Sequence, residues 1–96
     1  MPRKRTPGST QVRILELADS PSSGSDLREA HRRLYGTELP RGGLHTTLGR
    51  LRDAGWLRVS RVCQTKYGPE KYYVITASGR RVLAQVPSFT QRLFAE

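Results

Sequence analysis

Residues 42–56 read GGLHTTLGRLRDAGW, and the predicted fold depends on this stretch. Leu44, Leu48 and Leu51 recur at the spacing of one helical face, so the stretch predicts an amphipathic helix that stops at Gly55. The opposite face is small and largely neutral, and each glycine in it costs about 1 kcal/mol of helix stability relative to alanine. Such a face is expected where a partner has to approach the helix backbone closely.

Two shorter helical patterns precede this helix, which we expect to run from Arg41 to about Ala54. The first covers residues 10–19, with Thr10 as a candidate N-cap. After a turn-forming stretch, the second begins at Ser25 and ends at Gly36, with Arg28, Arg32 and Arg33 outside its apolar face. That apolar face is predicted to hold Leu27, Ala30 and Leu34.

Strand patterns follow the third helix. Residues 57–63 and 71–76 each read as a strand, and the polar residues 64–70 between them read as the loop of a hairpin. Tyr73 and Ile75 are expected to pack on the leucines of the third helix, with Tyr72 on the other side of the strand. A further helix is predicted over residues 77–84, and a last short one after Pro87.

Three helices, a β-hairpin and a C-terminal helix describe an α+β fold, the winged helix-turn-helix. The predicted domain covers residues 10–86. Residues 1–9 are expected to form a flexible basic arm. Residues 87–96 are expected to form a short C-terminal helix that could serve in dimerisation.

The charge of the chain indicates a polyanionic partner. The 96 residues carry a formal net charge of +9, and the pI is about 10.8, which suits nucleic acid or an anionic membrane surface. The sequence contains neither a signal peptide nor an apolar run of the roughly 18 residues that span a bilayer, so we expect a cytoplasmic protein without a membrane partner. The single cysteine, Cys63, excludes an internal disulfide, and we expect a buried or strand-facing thiol without chemistry.

Two blocks resemble one family. The segments LHTTLGRLRDAGWL (44–57) and GPEKYYVITASGR (68–80) are similar to the recognition helix and the wing of PadR-like transcriptional regulators. The resemblance implies a dimeric, DNA-binding repressor whose C-terminal helix pairs with a second copy. The chain departs from the family pattern at His45, where tyrosine is usual, at Ser25, and in its short segment after Ala84.

The candidate site residues follow from this arrangement. Arg50 can pair with guanine, the Thr46 methyl can contact thymine, and His45 lies beside them. The residues of the third helix predicted to contact DNA are Arg41, Gly42, Gly43, His45, Thr46, Thr47 and Arg50. On the wing, phosphate contacts are predicted for Arg61, Lys66, Tyr67 and Lys71. The basic arm contributes Arg3, Lys4 and Arg5, and the predicted dimer interface holds Val82, Val86, Phe89, Leu93 and Phe94.

Other functions receive less support from the residues. No motif of an enzyme is present, and neither His31 nor His45 has a cysteine or carboxylate at metal-ligand spacing, so no metal or cofactor is expected. Trp56 is expected in the core or at an interface. Two alternatives stay open: a winged helix that binds RNA or a ribonucleoprotein, and an interaction module for an acidic protein partner.

Overall fold

The structure is a computed structural model and describes residues 7–85. Its element order agrees with the prediction of an α+β winged helix-turn-helix, with one additional short strand. The elements are α1 (Ser9–Leu17), β1 (Ser22–Ser23), α2 (Gly24–Tyr35), α3 (Arg41–Asp53), β2 (Leu57–Thr65), β3 (Gly68–Ile75) and α4 (Ala77–Ala84).

The hydrophobic core lies between the helices and the sheet. Ile14 and Leu15 of α1 and Leu27 of α2 pack in one cluster with the three predicted leucines of α3. Tyr73 and Ile75 of β3 belong to the same cluster, as predicted, and Trp56 is a core residue with only 8% of its surface exposed. The leucine face of α3 is therefore covered from inside the chain, and no residue in 7–85 packs over most of the opposite face.

The hairpin is longer than the sequence suggested. Strands β2 and β3 pair antiparallel up to Thr65 and Gly68, so the turn consists of Lys66 and Tyr67 alone. The prediction of a loop over residues 64–70 was wrong because polar side chains do not prevent a backbone ladder. Gly68 has φ of 111°, a conformation that suits glycine directly after a tight turn.

The strand β1 was not predicted. Ser22 and Ser23 pair with Tyr73 and Tyr72 of β3, which gives a three-stranded antiparallel sheet of order β1-β3-β2. Ser23 also caps α2, since its hydroxyl accepts from the Asp26 N–H at 3.1 Å and the Asp26 carboxylate accepts from the Ser23 N–H at 3.1 Å. Because of this capping box α2 begins at Gly24, one residue before the predicted start.

The buried face of α2 differs from the predicted one. Leu34 is 67% exposed, whereas His31 is buried with 1% of its surface exposed. Towards the C-terminus of α2 the His31 and Tyr35 rings lie 4.9 Å apart. The Arg13 guanidinium of α1 covers the Tyr35 ring at 4.6 Å, so Leu34 has no place in this contact.

Two glycines have structural roles, one at the end of α3 and one inside α4. Gly55 has φ of 81°, and the Trp56 N–H donates to the Leu51 carbonyl at 3.0 Å, which forms a Schellman motif and ends α3 where the sequence predicted. In α4, a Cβ on Gly79 would overlap the carbonyl oxygen of Trp56 and lie 2.7 Å from Cγ1 of Ile75. The helix α4 therefore packs directly on the backbone at the start of the wing.

The start of α1 and the end of α4 border the undescribed residues. The helix α1 begins at Ser9 with Gly8 as its N-cap, so the predicted cap Thr10 lies inside the helix. Pro7 is already buried. Val82 is half-buried against the core. The other residues of the predicted arm and dimer interface lie outside the described residues: Arg3, Lys4, Arg5, Val86, Phe89, Leu93 and Phe94.

Candidate nucleic-acid interface

The outward face of α3 presents most of the predicted contact residues to solvent. Leu44, Leu48 and Leu51 point into the core, and the residues between them are exposed or half-buried. The exposed members of the predicted set are Arg41, Gly42, Gly43, His45, Thr46 and Arg50. Sequence reasoning missed Arg52, which is also exposed and lies about two turns beyond His45 on the same side of the helix.

Within residues 7–85, nothing packs tightly against the glycines of this face. A Cβ at Gly42 or Gly49 would meet no described atom within 4 Å, and at Gly43 the nearest would be Pro40 carbons at 3.9 Å, an ordinary contact. None of the three has a positive φ. The described part of the fold would therefore accept alanine at these positions.

Thr47 differs from its neighbours. Its side-chain hydroxyl donates to the carbonyl of Gly43, one turn earlier, at 2.8 Å, and the residue is half-buried. This bond occupies the hydroxyl within the helix. Of the predicted contact residues on α3, Thr47 is thus the one whose polar group already has a partner inside the helix.

An open cleft of about 810 Å³ separates α3 from the wing. The side of α3 that holds Arg41 and His45 forms one wall, and Lys71 and Tyr67 of the wing region form the other. The first turns of α2 close one end of the cleft, where Ser25 and Arg28 line it. These two residues were not predicted as site residues, because the pattern of α2 alone cannot tell which of its polar side chains lies near α3.

The tip of the wing carries two predicted residues. Tyr67 is 88% exposed, and the Nζ atom of Lys66 lies 5.2 Å from the centroid of its ring. An amine at this distance from an aromatic face makes a weak cation–π contact, which leaves both side chains free to rearrange around a partner.

Arg61 lies on the outer face of the wing, away from the cleft. Its guanidinium carbon sits 4.4 Å above the centroid of Tyr72, which is its partner in the β2–β3 register. The register shifts between Val59 and Arg61, so the extra residue Ser60 turns the following side chains to the opposite face. Arg61 is thereby separated from Lys71, which lines the cleft.

Two further residues complete this outer face. The Tyr72 hydroxyl donates to the Glu70 carboxylate at 3.1 Å, and this hydrogen bond raises the pKa of Tyr72 above its ordinary value. Cys63 pairs with Glu70 in the register; it is a free thiol, and it is half-buried rather than fully buried. Arg61, Tyr72 and Glu70 therefore contact one another on the wing.

Other kinds of site find no support within the described part of the chain. No group of three or more His, Cys, Asp or Glu side chains in residues 7–85 could hold a metal ion. None of the helices in that range combines the length and the hydropathy that a membrane crossing requires.

Comparison with known proteins assigns the family. The model of the transcriptional regulator PadR-like family matches residues 14–85. This chain belongs to that family. A comparison with curated proteins found no match. As a PadR-like protein, the chain is a DNA-binding transcription regulator and not an enzyme.

Solved structures of PadR-like proteins share the fold. A PadR family regulator from Eggerthella lenta superposes with a TM-score of 0.76 at 25% identity, over 92% of this chain and 77% of that one. Bacillus subtilis PadR, solved in complex with operator DNA, gives 0.71 at 23% identity, over 81% of this chain and 47% of that one. A PadR-like regulator from Bacillus cereus gives 0.69 at 22% identity, over 92% and 84% of the two chains.

Proposed function

We propose that this PadR-like regulator is a sequence-specific repressor that inserts α3 into the major groove of double-stranded DNA. The observation that carries the proposal is the outward face of α3, where Gly42 and Gly49 leave open space beside exposed polar side chains. A helix in the major groove lies close to the base edges, and glycines let its backbone approach further.

Three side chains are proposed to read bases. Arg50 can donate a bidentate pair to guanine, the Thr46 methyl can contact the methyl group of thymine, and His45 can donate or accept at the cleft side of the helix. Arg50 and His45 flank Thr46 on either side, so together they would cover the width of the groove floor.

The cleft would take the sugar-phosphate backbone. Arg41 on α3 and Lys71 on the wing face it from opposite walls, and Lys66 and Tyr67 at the wing tip extend the same surface. Contacts of this kind position a protein on the duplex without reading sequence. The arm, residues 1–9 with Arg3, Lys4 and Arg5, is proposed to add further salt-dependent affinity.

We also propose that the regulator acts as a homodimer in the cytoplasm. Val82 and the segment after Ala84, with Val86, Phe89, Leu93 and Phe94, supply the apolar residues for pairing with a second copy. Two copies would bind a palindromic site whose half-sites lie about 10 bp, one helical turn, apart. The complex of Bacillus subtilis PadR with operator DNA supports DNA as the partner.

Selection of bound sequences from random duplex, with the full chain, tests the proposal. We expect enrichment of a palindrome with the stated half-site spacing. A pool without a common sequence would contradict specific recognition. Enrichment of a single, non-repeated site would contradict the dimer, and so would a monomeric mass by light scattering at high micromolar concentration.

Two competitions decide between DNA and the other candidate partners. Structured RNA that displaces the selected duplex at equal salt would favour an RNA-binding function. Negligible binding to any duplex near physiological salt would favour an acidic protein partner, whereas a DNA binder gives a steep fall of log K with log salt. Repression itself is tested by transcription in vitro from a promoter that overlaps the selected site, where added regulator should lower the yield of transcript.

A further inference from the structure

The connection between α2 and α3 is held by two side chains of α2. It consists of residues 36–40. The imidazole Nδ1 of His31 lies 2.9 Å from the carbonyl oxygen of Thr37, and Nε of Arg28 donates to the carbonyl oxygen of Leu39 at 3.1 Å. Two alternate carbonyls of this connection are therefore bound from one helix.

The start of α3 has no side-chain cap, and its other anchors are the apolar side chains of Leu39 and Leu44, which pack in or against the core. Its N-cap is Pro40, which provides no side-chain hydrogen bond to the first turn of the helix. The N-caps of α2 and α4, Ser23 and Thr76, each accept with the side chain from a backbone N–H of the helix that follows. A connection of several residues without such a cap has many conformations to lose on folding. The bonds from His31 and Arg28 reduce the number of conformations open to the segment that leads into α3.

The chemistry of His31 points to this role. Because a carbonyl can only accept, the bond to Thr37 needs the proton on Nδ1. Nε2 is buried and finds no hydrogen-bond partner within residues 7–85. A buried polar atom without a partner disfavours folding, so an apolar side chain of similar size would suit the interior better. The benefit of histidine at this position is therefore its other nitrogen, which binds Thr37.

Arg28 supports the same connection with a forked side chain. While Nε binds the Leu39 carbonyl, one terminal nitrogen lies 3.5 Å from the carboxylate of Glu38. A guanidinium can hold two acceptors at fixed angles, and an ammonium group cannot reproduce that geometry. Lysine at position 28 would keep the positive charge and lose the paired contact.

We propose that His31 and Arg28 are positioning residues for DNA recognition. By holding residues 37–39 against α2, they fix the angle at which α3 presents Thr46 and Arg50, and so determine base preference without touching a base. This inference rests on the proposed function, in which α3 reads the major groove.

The test compares the affinity of the full-length protein for the selected duplex with its affinity for random duplex, by anisotropy titration at several salt concentrations. His31→Leu and Arg28→Lys are each expected to lower this specificity ratio about tenfold, a value in the range of one base contact. The salt slope is expected to stay the same, because neither change removes a phosphate-binding charge. His31→Asn, whose amide can still donate to Thr37, should recover part of the ratio.

Arg33→Lys is the matched control. Arg33 lies on the same helix and pairs with Glu29 at 3.1 Å, and within residues 7–85 neither side chain hydrogen-bonds to the connection. Its substitution should leave both the ratio and the salt slope at the wild-type values. A loss equal to that of Arg28→Lys would mean that any change of charge geometry on α2 has this effect, and would contradict the proposal.

Further outcomes separate the alternatives. If His31→Leu and Arg28→Lys both keep the specificity ratio of the wild type, the inference is overturned. If Arg28→Met weakens binding to all duplexes equally and lowers the salt slope by about one, Arg28 is a direct phosphate contact and not a positioning residue. If His31→Leu fails to fold, Arg28→Lys carries the test alone.

A wild-type protein without base preference would instead contradict the proposed function. Positioning is then tested without DNA, by hydrogen exchange of the Leu44 amide, which donates to the Pro40 carbonyl in the first turn of α3. Exchange at Leu44 should be faster in His31→Leu while the Leu27 amide is unchanged, and equal rates at Leu44 overturn the inference.

Discussion

The glycines of α3 and the glycine of α4 present opposite situations. At Gly79 in α4, a single added carbon would overlap the Trp56 carbonyl oxygen. At Gly42 and Gly49 in α3, the same carbon would meet no described atom within 4 Å. One glycine is required by the fold, and the other two are not.

This difference separates residues that serve stability from residues that serve binding. A change at Gly79 should alter the free energy of unfolding, since the packing of α4 on the start of the wing depends on it. A change on the outward face of α3 should leave folding intact and alter binding to DNA. Each variant below is therefore measured twice, by denaturant unfolding and by titration with DNA.

Gly79→Ala is expected to have the largest effect. Because the methyl group would press on backbone rather than on a flexible side chain, we expect the free energy of unfolding to fall by about 3 kcal/mol or more. Denaturant titration followed by circular dichroism measures it. A free energy of unfolding within 1 kcal/mol of the wild-type value would mean that α4 can shift to make room for the methyl group. Gly79 would then not differ from the glycines of α3.

Arg50→Ala should change binding without changing stability. Loss of a bidentate contact to guanine costs about 1–3 kcal/mol on the selected site and relaxes the preference at one base pair. Anisotropy titration against the selected duplex and its single-base variants measures both. Arg33→Ala on α2 is the control. If Arg50→Ala binds the selected site as tightly as the wild type, Arg50 does not read a base.

Gly49→Ala is expected to raise the free energy of unfolding and to lower the affinity for DNA. Alanine is the better helix former, so the free energy of unfolding should rise by about 1 kcal/mol. The added methyl group stands between the helix backbone and the groove, so affinity for the selected site should fall by less than in Arg50→Ala. If Gly49→Ala is more stable than the wild type and binds the selected site with the same affinity, this face does not approach DNA.

Lys66→Ala and Arg61→Ala compare the two faces of the wing with the smallest expected effects. Loss of Lys66 should weaken binding to all duplexes alike and reduce the salt slope by about one. Arg61 stacks on Tyr72 on the outer face, so its loss should leave the slope unchanged. Equal reductions in both variants would indicate that both faces of the wing lie near phosphates.

The sequence predicted the fold well where periodicity was strong. The leucines of α3, the stop at Gly55 and the inward side chains of β3 were all confirmed, because burial imposes a regular spacing on each of them. It failed at Leu34, whose spacing fits the apolar face of α2, because His31 is buried in its stead and Arg13 of α1 lies over Tyr35. Which face a helix buries at its ends depends on the elements that pack against it, and the sequence of the helix alone does not show these elements.

The exposure of the candidate site residues was predictable along α3, and their placement was less so elsewhere. A single helix places Thr46 and Arg50 on one exposed surface from spacing alone. The wing required knowledge of the register shift at Ser60, which moves Arg61 to the outer face. Arg28 joins the cleft through the tertiary packing of α2 near α3, and no pattern within α2 indicates that contact.

The double role of Ser23 has a consequence for protein engineering. As a residue of β1 it pairs with Tyr72 of the wing strand, and as a cap it starts α2. A chimera that receives its α2–α3 segment from a relative therefore also receives one strand of the sheet. The upstream junction belongs before Ser22, in the exposed residues Ser20 and Pro21, so that strand and cap come from the same parent.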